Sequence, residues 1–210
     1  MRLQIIGFFI FALYGGAVFG QELANGSFEG PRGASLLPPG WETCGKGSTP
    51  DTQPGAWHVL TAPAYGESYI SLICRGEGVP YARQWERCQQ RLQKSLVAGQ
   101  CYVYQIDLAR SPHFSSGRYF FTQEVNLRIW VGDGSCQAKE LLWESGPVAH
   151  IDWQTYEMVV RPAQDCSHLV LEAYYVGDVP YSGNILVDNF SFVPEGNPCI
   201  PMVLELKGDE

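Results

Sequence analysis

Short runs of alternating apolar and polar residues, bounded by turn-forming residues, most constrain the fold of this chain. Alternation with a period of two is the pattern of a β-strand with one buried face. The segments between the runs, such as GDGSC and GDVPYSG, carry turn chemistry. Many short strands separated by such loops predict an all-β protein built as an antiparallel β-sandwich. The runs are CYVYQIDLA (101–109), VNLRIWVG (125–132), YEMVVRP (156–162), HLVLEAYYV (168–176) and ILVDNFSFV (185–193).

Two further segments complete the predicted strands. GESYISLICR (66–75) is one of them. RQWERCQQRLQKSL (83–96) lacks Gly and Pro and so permits a helix, but its apolar residues are sparse. We therefore predict a strand from about Glu86 to Leu92. From 194 onward the pattern decays, so we expect a β-sandwich binding domain over 21–193 and a linker or tail over 194–210.

The first twenty residues have the composition of a secretory signal peptide. A single basic residue, Arg2, precedes an apolar stretch, and Val18 and Gly20 fit the small-residue positions of a cleavage site. The apolar stretch is shorter than the roughly 18–20 residues that a membrane-spanning helix needs. We expect a signal peptide over 1–20, no membrane span after its cleavage, and a secreted or cell-surface protein.

The charge of the chain excludes one class of partner. Its formal net charge is −8 at pH 7. Nucleic-acid binding requires a basic surface that neutralises phosphates. We therefore expect no nucleic-acid partner.

The seven cysteines predict disulfide bonds, because an exported chain folds in an oxidising compartment. Their spacing lacks the paired CxxC pattern of a zinc site. An odd number leaves at least one cysteine free or bonded to another chain. We expect the pairs Cys136–Cys166, Cys74–Cys88 and Cys44–Cys101, with Cys199 left in the tail.

Strand alternation also predicts a ligand-binding face. If the main strands share one sheet, its outer face combines amides, carboxylates, a guanidinium group and two aromatic rings. Aromatic rings stack on the apolar faces of sugars, and planar polar groups bind sugar hydroxyls. The alternative is a solvated face in which Arg128 pairs across strands with Glu172 or Asp107. The candidate ligand-binding residues are Gln105, Asp107, Asn126, Arg128, Trp130, Glu172 and Tyr174.

No catalytic motif stands out. The four histidines have no metal-ligand spacing, and the chain contains neither a GxSxG elbow nor a phosphate-binding glycine loop. Asp51, in the turn-rich segment STPDTQPG (48–55), is a candidate functional residue, but its expected role is to cap a turn. We predict that the protein is not an enzyme.

Four motifs follow one another along the chain: NGSFE (25–29), PPGW (38–41), AGQCYVYQIDLARS (98–111) and ILVDNFSF (185–192). Together they resemble the galactose-binding-like jelly-roll domains of the carbohydrate-binding-module type, over about 22–193. Two insertions, STPDTQPGAW and NLRIWVGDGSC, are similar to a subgroup in exported proteins of Bacteroidetes-type bacteria. The resemblance implies a jelly roll and a non-catalytic module whose partner is a glycan or polysaccharide.

The resemblance also implies a structural calcium ion. In such domains a Glu of the opening strand and an Asp of the closing strand meet around Ca²⁺, and the matching positions here are Glu29 and Asp188. The Ser27 backbone carbonyl is a further expected ligand. Two carboxylates brought together repel unless they are bridged, and Ca²⁺ takes six to eight oxygen ligands. The alternatives are a surface carboxylate at Glu29 and a turn or cap residue at Asp188.

Three functions follow from these observations. The leading one is carbohydrate binding through the polar and aromatic face. The second is a structural or adhesion module of a cell-surface or secretion assembly, whose partner is another cell-surface protein. The third is a hydrolase whose site is not recognised.

Overall fold

The computed structural model describes residues 23–193, which form two five-stranded sheets and one small hairpin. All strand pairs within the sheets are antiparallel. A short 3₁₀ turn covers Ala56–His58. The strands are β1 (Glu42–Thr43), β2 (Asp51–Gln53), β3 (Tyr69–Cys74), β4 (Arg87–Leu96), β5 (Tyr102–Ala109), β6 (Ser115–Ser116), β7 (Tyr119–Phe120), β8 (Val125–Gly132), β9 (Glu140–Val148), β10 (Gln154–Val160), β11 (Cys166–Tyr174) and β12 (Gly183–Phe192).

The two sheets pack face to face around the main core. The front sheet has the order β1-β4-β11-β8-β9, and the back sheet has the order β10-β5-β12-β3-β2. Only β2–β3 and β8–β9 are consecutive strands within one of these two sheets, and every other connection between their strands crosses from one sheet to the other, as in a jelly roll. The predicted all-β antiparallel sandwich is confirmed. Core residues include Leu127, Ile129, Val131, Leu169 and Leu171 from the front sheet, and Tyr104, Ile106, Leu108, Ile185 and Val187 from the back sheet.

A second apolar cluster covers the outer face of the back sheet. Tyr69, Ile73 and Leu186 alternate with core residues along their strands, so their side chains lie on the opposite face. Phe114 and Phe121, on either side of the β6–β7 hairpin, pack against them. Loops therefore shield much of the outer back sheet.

All seven predicted strands are present, with shifts of a few residues at their ends. The segment that permitted a helix is strand β4. Strand β9 was not predicted, because Gly146 and Pro147 interrupt its pattern. In the structure its register with β8 shifts twice. Such interruptions are typical of an edge strand, which is where β9 lies.

The three predicted disulfides are wrong. Cys44 bonds to Cys136, which excludes Cys44–Cys101 and Cys136–Cys166. Cys74 and Cys88 are free thiols buried in the main core, and Cys166 is also free. Burial raises the pKa of Cys74 to about 12 and raises that of Cys88 as well, so both behave as small apolar residues.

Three predictions concern the ends of the chain. The signal peptide (1–20), the tail (194–210) and Cys199 lie outside the described residues. Within residues 23–193, no helix is long and apolar enough to cross a membrane.

Candidate functional site

The outer face of the front sheet brings together five of the seven predicted ligand-binding residues. Asn126, Arg128 and Trp130 lie on β8, and Glu172 and Tyr174 lie on the neighbouring β11. In the antiparallel register Arg128 is opposite Glu172, and Asn126 is opposite Tyr174. Their alternate neighbours are in the core, so strand alternation identified this face correctly.

Gln105 and Asp107 do not belong to this face. Both lie on β5 in the back sheet, so the prediction of one common face was wrong for them. Alternation shows which side chains point away from the core, but a sandwich has two outer faces. Asp107 instead accepts hydrogen bonds from Thr155 Oγ1 (2.5 Å) and Asn189 Nδ2 (3.0 Å). The Arg128–Asp107 ion pair is therefore excluded.

A buried carboxylate organises the front face. The side chain of Glu172 is only 1% exposed. It accepts hydrogen bonds from Trp85 Nε1 (2.9 Å) and Trp130 Nε1 (3.2 Å). Arg87 on β4 pairs with it from one side, and Arg128 on β8 lies 3.9 Å away on the other. One carboxylate thus holds two indole rings and two guanidinium groups in place.

Tyr174 and Glu144 extend this arrangement. The Arg128 guanidinium lies 3.6 Å from the centre of the Tyr174 ring, and its Nε donates to Glu144 Oε1 at 3.1 Å. The Trp85 ring meets the edge of Tyr174 with 4.8 Å between ring centres. These contacts define the front cluster, which comprises Trp85, Arg87, Arg128, Trp130, Glu172 and Tyr174.

Two polar atoms at the front cluster have no hydrogen-bond partner among the described residues. They are the Arg87 Nε donor and the Asn126 Oδ1 acceptor. Buried polar atoms are normally paired, so an unpaired donor and acceptor on one face indicate a place for a ligand or ordered water. A cavity of about 180 Å³, lined in part by Lys46, Trp85 and Arg87, lies at one end of the cluster.

Trp85 and Arg87 were missed in the sequence. The predicted strand begins at about Glu86, so Trp85 lies outside it. Trp85 forms an isolated bridge to Cys74, and β4 begins at Arg87. The W-x-R spacing places both side chains on the face opposite Glu86, which is the signal that would have found them.

The predicted calcium ligands Glu29 and Asp188 converge on one loop. Asp188 is fully buried, and its Oδ2 accepts the backbone N–H groups of Ala64 and Tyr65, both at 2.9 Å. Both carboxylate oxygens of Glu29 accept the N–H of Glu67 at 3.1 Å. The opening segment and the closing strand are thereby joined through the 64–67 loop.

The donor chemistry around these two carboxylates fits calcium. Neither has a salt bridge among the described residues. Burial, and in smaller part the charge of Glu29, raises the pKa of Asp188 to about 7. Residues 23–193 contain no cluster of three or more His, Cys, Asp or Glu, so an ion would also need carbonyl oxygens, which Ca²⁺ accepts. Ser27 lines a polar cavity beside Tyr65. The calcium ion stays a prediction.

Comparison with known proteins identifies the fold alone. No protein-family model matches the chain, and no curated protein matches it. The solved arabinose-bound MgGH51 α-L-arabinofuranosidase matches 82% of this chain and 26% of its own, with a TM-score of 0.55 and 12% identity. A cyclase from Fischerella sp. TAU matches 81% of this chain and 94% of its own, with a TM-score of 0.51 and 13% identity.

A family 16 carbohydrate-binding module matches 82% of this chain and 99% of its own, with a TM-score of 0.47 and 14% identity. Of the arabinofuranosidase, this chain spans only about a quarter of the length. Across these low identities, what the chain shares with the arabinofuranosidase and the cyclase is the β-sandwich fold.

Proposed function

We propose that this protein is a non-catalytic module that binds carbohydrate through the front cluster. The observation that carries the proposal is the buried Glu172 carboxylate, which holds Trp85, Trp130, Arg87 and Arg128 together on an outer sheet face. A preordered face of this kind binds with little loss of side-chain freedom.

The chemistry of the face suits sugar hydroxyls. A hydroxyl can donate or accept a hydrogen bond, so separate hydroxyls of one sugar chain could pair with Arg87 Nε and with Asn126 Oδ1. The half-buried aromatic rings offer apolar surface to the C–H faces of a sugar ring. The adjoining cavity is smaller than the roughly 300 Å³ of ordinary ligand pockets, which favours a chain lying across the face.

The carboxylates of the face support a binding role. Hydrolysis of a glycosidic bond requires one carboxyl group that is free to protonate the leaving oxygen. Glu172 is engaged by two indole N–H groups and two guanidinium groups, and Glu144 is engaged by Arg128 and Asn126. These contacts favour a role for both carboxylates in ordering the face.

The proposal includes an extracellular location. It is supported by the predicted signal peptide and by the resemblance to modules of exported Bacteroidetes-type proteins. The alternative, a structural or adhesion module that contacts another cell-surface protein, is what remains if no glycan binds.

Replacement of Trp130 by alanine is expected to weaken glycan binding at least about fivefold, since stacking of a sugar on an indole contributes on the order of 1 kcal/mol or more. Binding is measured on a glycan array and by polysaccharide pull-down, and circular dichroism checks the fold. Gln105→Ala, on the back sheet, is the matched control and should bind as the unmodified protein does. Unchanged binding by the Trp130 variant, or no binding to any glycan, contradicts the proposal.

We also propose a structural calcium ion between Glu29 and Asp188. Thermal unfolding in calcium is then expected at a midpoint roughly 2–4 °C above that in EDTA, because an ion that binds only the folded state stabilises it. Glu29→Gln should abolish the difference, whereas Glu157→Gln, an exposed change on β10, should retain it. Equal midpoints in calcium and EDTA argue against the ion.

A further inference from the structure

A second cavity lies on the opposite face of the 85–87 segment from the front cluster. Its volume is about 330 Å³, within the range of small-molecule sites. It opens at the edge of the back sheet, between the 3₁₀ turn at 56–58, the segment after β3 and the β6–β7 hairpin. Glu86, the residue before β4, reaches it and points opposite to Trp85 and Arg87.

Aromatic rings form the walls of this cavity. Phe114, Phe121 and Tyr119 line one side, and Trp57 and Tyr81 line the mouth. Trp57 is 37% exposed and Tyr81 is 53% exposed, so both rings are accessible. Their backbones have φ angles of 53° and 56°, which are rare for bulky residues and concentrate at ligand sites.

The floor of the cavity has an unpaired donor. Arg75 is buried, and its Nη2 donates to Glu86 Oε1 at 2.6 Å and to Thr49 Oγ1 at 3.3 Å. Its Nη1 is buried without a partner in the described part of the chain. Because Arg75 pairs with Glu86, these two charges compensate each other.

Asp51 is the charge on the floor that nothing compensates. It is 3% exposed and has no salt bridge within residues 23–193. Its carboxylate accepts hydrogen bonds from Trp57 Nε1 (3.1 Å), Ser35 N (2.8 Å) and Ser71 Oγ (3.3 Å). Burial, and then the charge of Glu86, raises the pKa of Asp51 to about 7. The sequence predicted a turn-capping Asp here, whereas the residue is the buried first position of β2.

We propose that this cavity binds a small organic cation with an aromatic body and a hydroxyl or carbonyl oxygen. The cationic nitrogen pairs with Asp51, where it supplies the missing positive charge. The body lies among the aromatic walls, whose ring faces also attract cations. The oxygen accepts a hydrogen bond from Arg75 Nη1.

The charges around the cavity favour a cation over an anion. The titratable and charged groups that line it are Asp51, Glu86, Arg75, Tyr81, Arg118 and Tyr119. Arg118 is exposed at the mouth, where its guanidinium lies 5.2 Å from the centre of the Tyr119 ring. The buried floor therefore holds two carboxyl groups and one guanidinium group, and an anion there would face the uncompensated Asp51.

Three compounds of similar shape and different charge test the proposal. They are tyramine, its neutral alcohol analogue tyrosol, and the anion of hydroxyphenylpropionic acid. Calorimetry at about pH 8 is expected to show tyramine binding at least about tenfold tighter than tyrosol, with no binding of the anion. Asp51→Asn should abolish the preference for tyramine, and the exposed control Asp178→Asn should retain it. Equal binding of the three compounds, or no binding of tyramine, overturns the proposal.

Two measurements on the unmodified protein remain informative if the Asp51 variant does not fold. Tyramine affinity should fall about tenfold from about pH 8 to about pH 6, since only the ionised Asp51 pairs with the amine. The Trp57 indole NMR signal should shift on titration, and that of Trp130 in the front cluster should not. An affinity independent of pH, or a shift at Trp130 alone, overturns the proposal without bearing on glycan binding.

Discussion

Replacement of Glu172 by alanine is expected to lower the free energy of unfolding by about 3–5 kcal/mol, which is the usual cost of removing one partner from a buried ion pair. The carboxylate is 1% exposed and receives two indole N–H groups and two guanidinium groups. Without it, Arg87 and Arg128 face each other across β11 with no anion between them. Their repulsion adds to the loss of the hydrogen bonds.

Urea unfolding of the Glu172→Ala protein measures this effect directly. Glu172→Gln keeps an acceptor for one indole and removes the charge, so its stability should lie between those of the alanine variant and the unmodified protein. The control is Glu144→Ala, which removes a partly exposed partner of Arg128 and should change the stability by less than about 1 kcal/mol. A Glu172→Ala protein as stable as the control would show that the carboxylate does not organise the front cluster.

Comparison of the Trp130→Ala and Glu172→Ala proteins separates the proposed glycan binding of the front cluster from its contribution to stability. Trp130→Ala removes surface that a sugar would contact and leaves Glu172 with Trp85 and both arginines. Glu172→Ala removes the group that positions all of them. If the front cluster binds glycan, the first change should weaken binding with little loss of stability, and the second should reduce both.

Strand alternation predicted the front face from β8 and β11 but could not assign β5 to a sheet. Each strand pattern records a local property, namely which side chains face the core. Whether β5 pairs with β8 or with β12 depends on connections across the whole fold. Gln105 and Asp107 were therefore placed on the wrong outer face, although both do point away from the core.

Contacts between distant segments were the least predictable from the sequence. The Cys44–Cys136 bond joins residues 92 positions apart, and spacing alone does not show which loops meet. The pairing of Arg75 with Glu86 depends in the same way on the return of the chain from β3 to β4. Asp51 was noticed in a turn-rich segment, but its burial follows from the loops that cover the outer back sheet.

The stability of the protein is expected to fall by about 2–3 kcal/mol between about pH 5 and about pH 8 because of Asp51. The pKa of Asp51 is about 7 in the folded protein against an ordinary value of 3.8, so the folded state retains a proton that the unfolded state releases. This contribution is complete below about pH 4 and is lost as the pH rises through 7. Burial also raises the pKa of Glu86 and that of Asp188, and both changes act in the same direction when no calcium is present.

Urea unfolding in EDTA at the two pH values measures whether the free energy of unfolding falls as the pH rises. The Asp51→Asn protein should lose the part of this fall that comes from Asp51, whereas the Asp178→Asn protein should retain it. A stability that rises over this interval contradicts the assignment.

The loss of stability at high pH gives a further test of the second cavity, because Asp51 lies on its floor. A cation that pairs with ionised Asp51 stabilises the folded state there, so tyramine should restore part of the stability at about pH 8 and little at about pH 5. Recovery that is equal at both pH values would mean that tyramine acts somewhere other than Asp51.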